Sequence, residues 1–274
     1  MKTLYVSDLD GTLLNSNESL SEYAIKTLNT LIDNGMYFTY ATARSFSSSS
    51  IVTRGLLLNL PVITYNGTFF VNPNTREILF SLSFNKQEKE TITKFLDNCS
   101  ICPLVYGFID GEERVSWIRT NENKGIKHYL NSRKGDIRLR PIDTVEQLCQ
   151  GELFHFTFME DDKENLIKIH EFFKDKTEFI CTIQKEFYRD EYWCELMPQK
   201  STKGNAVLAL KDMLNFDKII SFGDEVNDIS MFKISDECYA VENAVNDLKE
   251  YSNGIISSND KDGVVHWLEN REQG

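Results

Sequence analysis

The sequence is short of positive charge. Its 274 residues hold 30 Lys and Arg against 42 Asp and Glu, a formal charge of −12. No block of Lys or Arg offsets that balance locally, and a protein that neutralises a phosphate backbone needs a basic surface. The balance argues against a nucleic-acid partner and equally against adhesion to an anionic membrane. Long hydrophobic runs are also missing: none approaches the ~20 residues of a membrane span. The first residues meet Asp8 and Asp10 too early for a signal peptide, so none is expected. Histidine is scarce, and His128, His155, His170 and His266 share no ligand spacing. Cys99-Ser100-Ile101-Cys102 is a lone CxxC, with no second pair or His pair at zinc-finger spacing. The six cysteines are read as reduced thiols of a cytoplasmic protein. Internal repeats and low-complexity segments are absent, and the short Ser-rich stretch at 45–50 reads as a loop.

What is present is the composition of a globular chain, 41% hydrophobic and 26% charged, long enough for one large or two modest domains. Two blocks read as α/β units. In the first, the apolar strand Thr3-Leu4-Tyr5-Val6-Ser7 precedes a helix with a capping box, Ser19-Leu20-Ser21-Glu22. That helix carries Ile25, Leu28, Leu31 and Ile32 and stops at Asn34-Gly35. Strands follow at 36–41 and at Pro61-Val62-Ile63-Thr64-Tyr65. In the second block, Ser201-Thr202 caps a helix with Val207, Leu210 and Leu214, and Ile219-Ile220-Ser221-Phe222 is a strand. A helix at 229–232, a strand at 239–241, a helix from Ala244, an edge strand at 254–256 and a final helix complete it. Apolar strands alternating with helices imply a parallel sheet covered on both faces. The middle has another texture, with helices at 86–98 and 162–174 and polar strands at 114–119, 153–159 and 179–184. The expected fold is α/β: a doubly wound, Rossmann-like parallel-sheet core formed by residues 1–82 and 194–274. Residues 83–193 form an inserted α+β domain.

Chemistry concentrates at the strand ends. Asp8-Leu9-Asp10-Gly11-Thr12-Leu13 follows the first strand directly. A strand-end Asp can attack phosphorus, and a second Asp two residues on can protonate the leaving oxygen and then activate water. The simpler reading is an acidic turn. Gly223-Asp224-Glu225-Val226-Asn227-Asp228 follows another apolar strand. Asp224 and Asp228 either cap the next helix or join Asp8 and Asp10 around a cation. All-oxygen ligation suits Mg²⁺. Thr42 ends the second strand and offers a hydroxyl, with the backbone N–H groups that follow, to a phosphate oxygen. Lys203 sits in the first turn of a helix, where a cation is mildly unfavourable, so a phosphoryl group to neutralise would explain it.

Asp8-x-Asp10-Gly11-Thr12, then Thr42, Lys203-Gly204, and Gly223-Asp224-x-x-Asn227-Asp228 resemble the four motifs of haloacid-dehalogenase-like hydrolases. The chain looks like the Cof-type sugar-phosphate phosphatase branch, whose α/β cap lies between the second and third motifs. Ala41-Thr42-Ala43-Arg44 resembles that branch's Ala-Thr-Gly-Arg, and Tyr65-Asn66-Gly67 its Asn-Gly strand end. The resemblance spans the whole chain. It implies Asp8 as nucleophile and Asp10 as acid and base, with the Asp10 backbone carbonyl on Mg²⁺. It further implies Asp8 and Asp224 as metal ligands and Asp228 in the metal shell. Thr42, Ala43, Lys203 and Asn227 would bind the phosphoryl group. Ala43 replaces the usual Gly, and Glu225 stands where a small residue is common, which bears on rate and substrate range.

The expected substrate is a small phosphorylated metabolite, a sugar phosphate or similar monoester. A phosphomutase of the same superfamily and a silent phosphate-binding protein are the alternatives. A phospho-receiver module is far shorter and lacks the Asp10 group. The polar-aromatic stretch Tyr188-Arg189-Asp190-Glu191-Tyr192-Trp193 either faces a sugar or a cofactor ring or packs as core or hinge.

Overall fold

Leu4-Tyr5-Val6 is apolar on both sides of a strand, which suits a position covered on both faces. It lies in β1 (Thr3–Ser7) of a chain that the computed structural model describes over residues 1–185 and 192–273. Next come α1 (Glu22–Asp33), β2 (Tyr37–Tyr40), α2 (Phe46–Val52), β3 (Val62–Thr64), β4 (Phe69–Val71) and β5 (Ile78–Ser81). The middle of the chain forms α3 (Lys86–Leu96), β6 (Leu104–Ile109), β7 (Glu112–Ile118), α4 (Lys124–Ser132), β8 (Leu139–Ile142) and α5 (Val145–Leu148). It continues through β9 (Glu152–Glu160), α6 (Lys163–Phe173), β10 (Phe179–Lys185) and β11 (Tyr192–Pro198). The last third holds α7 (Lys203–Leu214), β12 (Lys218–Gly223), α8 (Ile229–Phe232), β13 (Glu237–Val241), α9 (Asn246–Lys249), β14 (Gly254–Ile256) and α10 (Gly263–Gln273).

Two units result, residues 1–82 with 201–274 and residues 83–200. The first holds a parallel sheet in the order β14-β13-β12-β1-β2. The order reverses at β1, with β2 on one side and β12 on the other, and such a switch point opens a crevice at the carboxyl ends of the strands. Leu4, Val6, Ala41, Ile63 and Ile219 of the strand region pack with Ala206, Val207 and Leu210 of α7. Each large aliphatic chain buried this way contributes about 1.5–3 kcal/mol. Trp267 of α10 lies 5.2 Å from Phe222 and 4.5 Å from Tyr239, ring to ring.

Three local expectations need correction. The strand expected at 61–65 is β3, which pairs antiparallel with β4 in a separate sheet of β3, β4 and β5. Its link to β2 is the single parallel bridge Ala41–Ile63, because the backbone turns left-handed at Tyr65 and Asn66 and the strand ends. The cap of α1 is Ser21, whose hydroxyl accepts the Ala24 N–H at 2.9 Å, and not the Ser19 box. The Ser-rich stretch forms α2, since Ser45 accepts the Ser48 N–H and Tyr40 donates its hydroxyl to the buried Ser49 Oγ at 3.0 Å.

The second unit is a sheet in the order β10-β11-β9-β6-β7-β8, antiparallel except for β7 with β8. Ile92, Leu96, Leu166, Ile169 and Phe173 of its helices cover Val105, Phe156, Phe158 and Leu196 of its strands. The chain returns to the first unit between Lys200 and Ser201, later than the expected boundary at 193/194. The reason is β11, which pairs with β10 on one side and β9 on the other and so belongs to this sheet. Of the polar-aromatic stretch, residues 188–191 lie outside the described residues, while Tyr192 and Trp193 open β11. Among the described residues no helix is long and apolar enough to cross a membrane.

Candidate active site

The register of the parallel sheet sets three strand ends level. Ser7 lies beside Tyr40 of β2 and Phe222 of β12. One residue further on, Asp8 N–H donates to Phe222 O at 3.0 Å and Ala41 N–H donates to Ser7 O at 2.9 Å. Asp8, Thr42 and Asp224 therefore leave adjacent strand ends of one crevice.

After Asp8 the chain makes one wide turn over Leu9–Leu13, closed by Leu14 N–H on Leu9 O at 2.8 Å. Gly11 makes that turn possible. Its φ is +72°, and a Cβ there would lie 2.2 Å from Asp224 Oδ2. The glycine lets the turn touch the Asp224 carboxylate, and Thr12 donates its hydroxyl to Asp224 Oδ1 at 2.8 Å. Asn243 Nδ2 holds the outer side of the turn through Gly11 O at 2.7 Å.

Lys203 opens α7 and points inward, 1% exposed. Its Nζ donates to Asp8 Oδ1 at 2.6 Å and to Asp228 Oδ1 at 2.7 Å. Asp228 Oδ2 accepts the N–H groups of Asp224 at 3.0 Å and Glu225 at 3.1 Å, so its carboxylate also shapes the turn after β12. Glu225 is exposed, and its carboxylate accepts the Val226 N–H at 3.3 Å.

Oxygens of Asp8, Asp224 and Asp228 lie within 4.8 Å of one another, and all three residues are buried. Burial pushes the Asp8 carboxyl well above the usual carboxylate range. Lys203 pulls it down, while Asp228 and Asp224 add to the rise. Burial likewise pushes Asp224 up to about 6, against the Thr12 hydrogen bond. For Lys203, burial alone would favour the neutral amine, but Asp228 and Asp8 outweigh it and raise the group above its ordinary value. Three carboxylates thus share one ammonium, 1 − 3 = −2 when all are ionised. Such a buried excess is costly. An all-oxygen donor set of this charge fits a hard divalent cation.

The remaining expected residues divide. Thr42 is buried, its Oγ1 accepts the Arg44 N–H at 3.1 Å, and its own N–H donates to Ile63 O at 3.0 Å. Ala43, next to it, is exposed. Asn227 is exposed, and its Nδ2 donates to Asn66 Oδ1 at 3.1 Å. The Asp10 carboxylate stands apart from the acidic trio, its side chain 45% exposed and paired with Arg44.

Three further residues shape this site without a role that sequence reasoning assigns. Arg44 grips Asp10 from two residues past Thr42, and only its long reach links the two. Asn66 has φ +54° and meets Asn227 from 161 positions away. Gly67, φ +102°, lets its turn lie against the first turn of α7, since a Cβ would fall 2.2 Å from Thr202 O. The Asn-Gly pair is a signal for that turn, but not for its neighbour.

Comparison with known proteins adds a lineage to this geometry. A family model described as haloacid dehalogenase-like hydrolase matches residues 5–268. A 5-amino-6-(5-phospho-D-ribitylamino)uracil phosphatase of Bacillus subtilis is 26% identical over 285 residues, covering 96% of this chain and 95% of that protein. A crystal structure of a Thermotoga maritima protein superposes with a TM-score of 0.77 at 26% identity, covering 98% of this chain and 97% of that one. A sugar phosphatase of haloacid-dehalogenase subclass IIB shares the fold, with a TM-score of 0.69 at 18% identity over 99% of both chains.

Proposed function

The chain belongs to the haloacid dehalogenase-like hydrolase family, and from that premise we propose that it is a Mg²⁺-dependent phosphatase of small phosphorylated metabolites. The observation that carries this reading is the buried Asp8–Lys203–Asp228 chain with Asp224 beside it. A carboxylate held 2.6 Å from an ammonium at a sheet switch point is a nucleophile with a counter-charge beside it, placed at the crevice.

Phosphate-monoester hydrolysis is among the slowest uncatalysed reactions, with accelerations up to about 10²¹-fold, and the barrier is largely the approach of one anion to another. Lys203 lowers that barrier, as its Nζ already lies 2.6 Å from the attacking group. Asp8 and Asp224, with the Asp10 backbone carbonyl and Asp228 behind them, are the groups that would hold Mg²⁺. When bound, the ion neutralises carboxylate and phosphoryl charge and orients the two.

In the first half-reaction an Asp8 oxygen bonds to phosphorus, the bond to the ester oxygen breaks, and Asp10 gives that oxygen a proton. In the second, Asp10 takes a proton from water, the water oxygen bonds to phosphorus, and the Asp8–phosphorus bond breaks to release inorganic phosphate. Thr42, the Ala43 N–H, Lys203 and Asn227 hold the phosphoryl oxygens in both. The second unit is read as the cap, the part that distinguishes one leaving group from another. Bacillus subtilis relatives of this length that are named for a phosphorylated ribitylamino-uracil support a small phosphorylated metabolite as the substrate class.

The test is a panel of phosphate monoesters assayed with Mg²⁺ and with chelator. Release of inorganic phosphate is the expected product, whereas an isomerised phosphate ester would mean a phosphomutase. Borohydride added to a quenched reaction should reduce an acyl phosphate at Asp8 to homoserine, read by mass spectrometry. Unreduced Asp8 in an active preparation, or turnover retained by Asp8→Asn, would overturn the assignment.

A further inference from the structure

Arg44 stands between two carboxylates. Its Nε donates to Asp10 Oδ2 at 2.8 Å and its Nη2 to Asp10 Oδ1 at 2.6 Å, a two-pronged grip. The same Nη2 reaches Glu18 Oε2 at 2.7 Å, and Nη1 donates to Ser48 Oγ at 3.2 Å. A guanidinium fork fixes the plane of the carboxylate it holds, which a point charge such as ammonium does not. Nε also lies 3.1 Å from Asp10 Oδ1, so it is Oδ2, which accepts from Nε alone, that keeps a lone pair for a proton in transit.

Glu18 reaches Arg44 from a loop built to present it. Its φ is +54°, a left-handed backbone that is strained for a residue other than glycine. The loop holds that strain with its own bonds. Glu18 N–H donates to Asn15 O at 2.9 Å and Asn15 N–H to Ser19 O at 3.0 Å. Asn15 Oδ1 accepts the N–H groups of Asn17 and Ser19. Ser16 N–H and Oγ each donate to Asp260 at 2.7 Å. The carboxylate that this loop carries is 70% exposed and meets Arg44 at 2.7 Å.

We propose that Glu18 and Arg44 are positioning residues for the reaction. Glu18 holds Arg44, and Arg44 holds the Asp10 carboxylate in the orientation from which it protonates the leaving oxygen. The proposal rests on the reading of Asp10 as the proton donor.

The test uses the purified full chain with Mg²⁺ and a series of aryl and alkyl phosphates whose leaving alcohols differ widely in acidity. Help with protonation matters most for the poorest leaving groups. Asp10→Asn should therefore steepen the dependence of kcat/KM on leaving-group pKa. Arg44→Ala should steepen it in the same sense, with alkyl phosphates slowed about 10–100-fold and p-nitrophenyl phosphate only about 2–5-fold. Arg44→Lys should recover little, because the fork is lost. Glu18→Gln, on a side chain that is 70% exposed, should show a smaller form of the same pattern and keeps the test open if Arg44→Ala fails to fold. Equal slowing of every ester by Arg44→Ala and Glu18→Gln, or a rise in KM alone, overturns the positioning role. A flat leaving-group dependence in Asp10→Asn overturns the proton-donor reading and this proposal with it. Steepening in Asp10→Asn without it in the other variants overturns this proposal alone.

Discussion

The Lys203 ammonium and the Asp8 carboxylate meet at 2.6 Å across 195 positions of sequence, and both are buried, with Lys203 1% exposed and Asp8 5%. A cation at the start of α7 opposes the helix dipole. Asp8 and Asp228 compensate for it, so the three groups stand or fall together.

Lys203→Met should remove the ammonium while keeping most of the volume. Turnover is expected to fall by about 10²–10³-fold, the usual loss when a charge-stabilising group is removed. Asp8 and Asp228 would then face each other without a counter-charge, and removal of one partner of a buried pair costs about 3–5 kcal/mol. Steady-state kinetics and urea unfolding of the same preparation check both halves.

Mg²⁺ should stabilise the folded chain. At 100 times the dissociation constant a ligand adds about 2.7 kcal/mol, which at about 2–4 °C per kcal/mol is a rise of several degrees in Tm. Asp224→Asn removes one of the three clustered carboxylates. The metal response should disappear in that variant, while its metal-free Tm should match or exceed that of the metal-free parent. Melting curves with Mg²⁺ and with chelator measure both.

Gly67→Ala should act on the site from outside it. The new methyl meets the Thr202 carbonyl carbon at 2.5 Å and its oxygen at 2.2 Å, both backbone atoms that cannot swing away. The expected cost is about 1–3 kcal/mol, as for other overpacked positions. The displaced first turn of α7 carries Lys203, so activity should fall further than the stability loss alone predicts. Urea midpoints set against kcat test this.

Glu237 gives the chain a pH signature separate from the acidic trio. Its carboxylate accepts both Arg271 Nη atoms, at 3.0 and 2.9 Å, together with the Tyr239 hydroxyl at 2.7 Å and Lys218 Nζ. Arg271 chiefly, with Lys218 and Tyr239, lowers the carboxyl from 4.5 to about 2, against an opposing effect of burial. A folded value below the unfolded one stabilises above the unfolded value and is lost as pH falls through the folded value. Glu237→Gln should therefore cost about 1 kcal/mol near neutrality, after allowance for solvent screening. The difference should shrink below pH 4.5 and vanish near 2. Denaturation midpoints across that range test the sign.

Much of the site is legible in the order of the amino acids, because it lies where local patterns end. The apolar runs before Asp8 and Gly223 mark strands through their own composition, and an acid after such a run stands out. Helix α2 is not legible in the same way. Serine favours caps and turns over helix interiors, and a buried Tyr40–Ser49 contact decides the matter. The second boundary escapes for a related reason, since β11 looks like the end of a polar segment until its two neighbours in the sheet are known.

Arg44 shows the limit most directly. Its place two residues after Thr42 is plain, but a side chain of that length can reach in many directions. Only the folded loop at Glu18 and the turn at Asp10 select one. Periodicity and composition are local properties, so the chain's own order suffices for the parallel-sheet core, the different texture of the middle segment and the chemical type at each strand end. Which groups share a charge is a property of the fold. Lys203 chooses Asp8 and Asp228, Arg44 chooses Asp10, and Asn66 chooses Asn227, because strand register and helix packing bring distant residues within hydrogen-bond reach. Electrostatic coupling depends on that separation in space and not on separation along the chain.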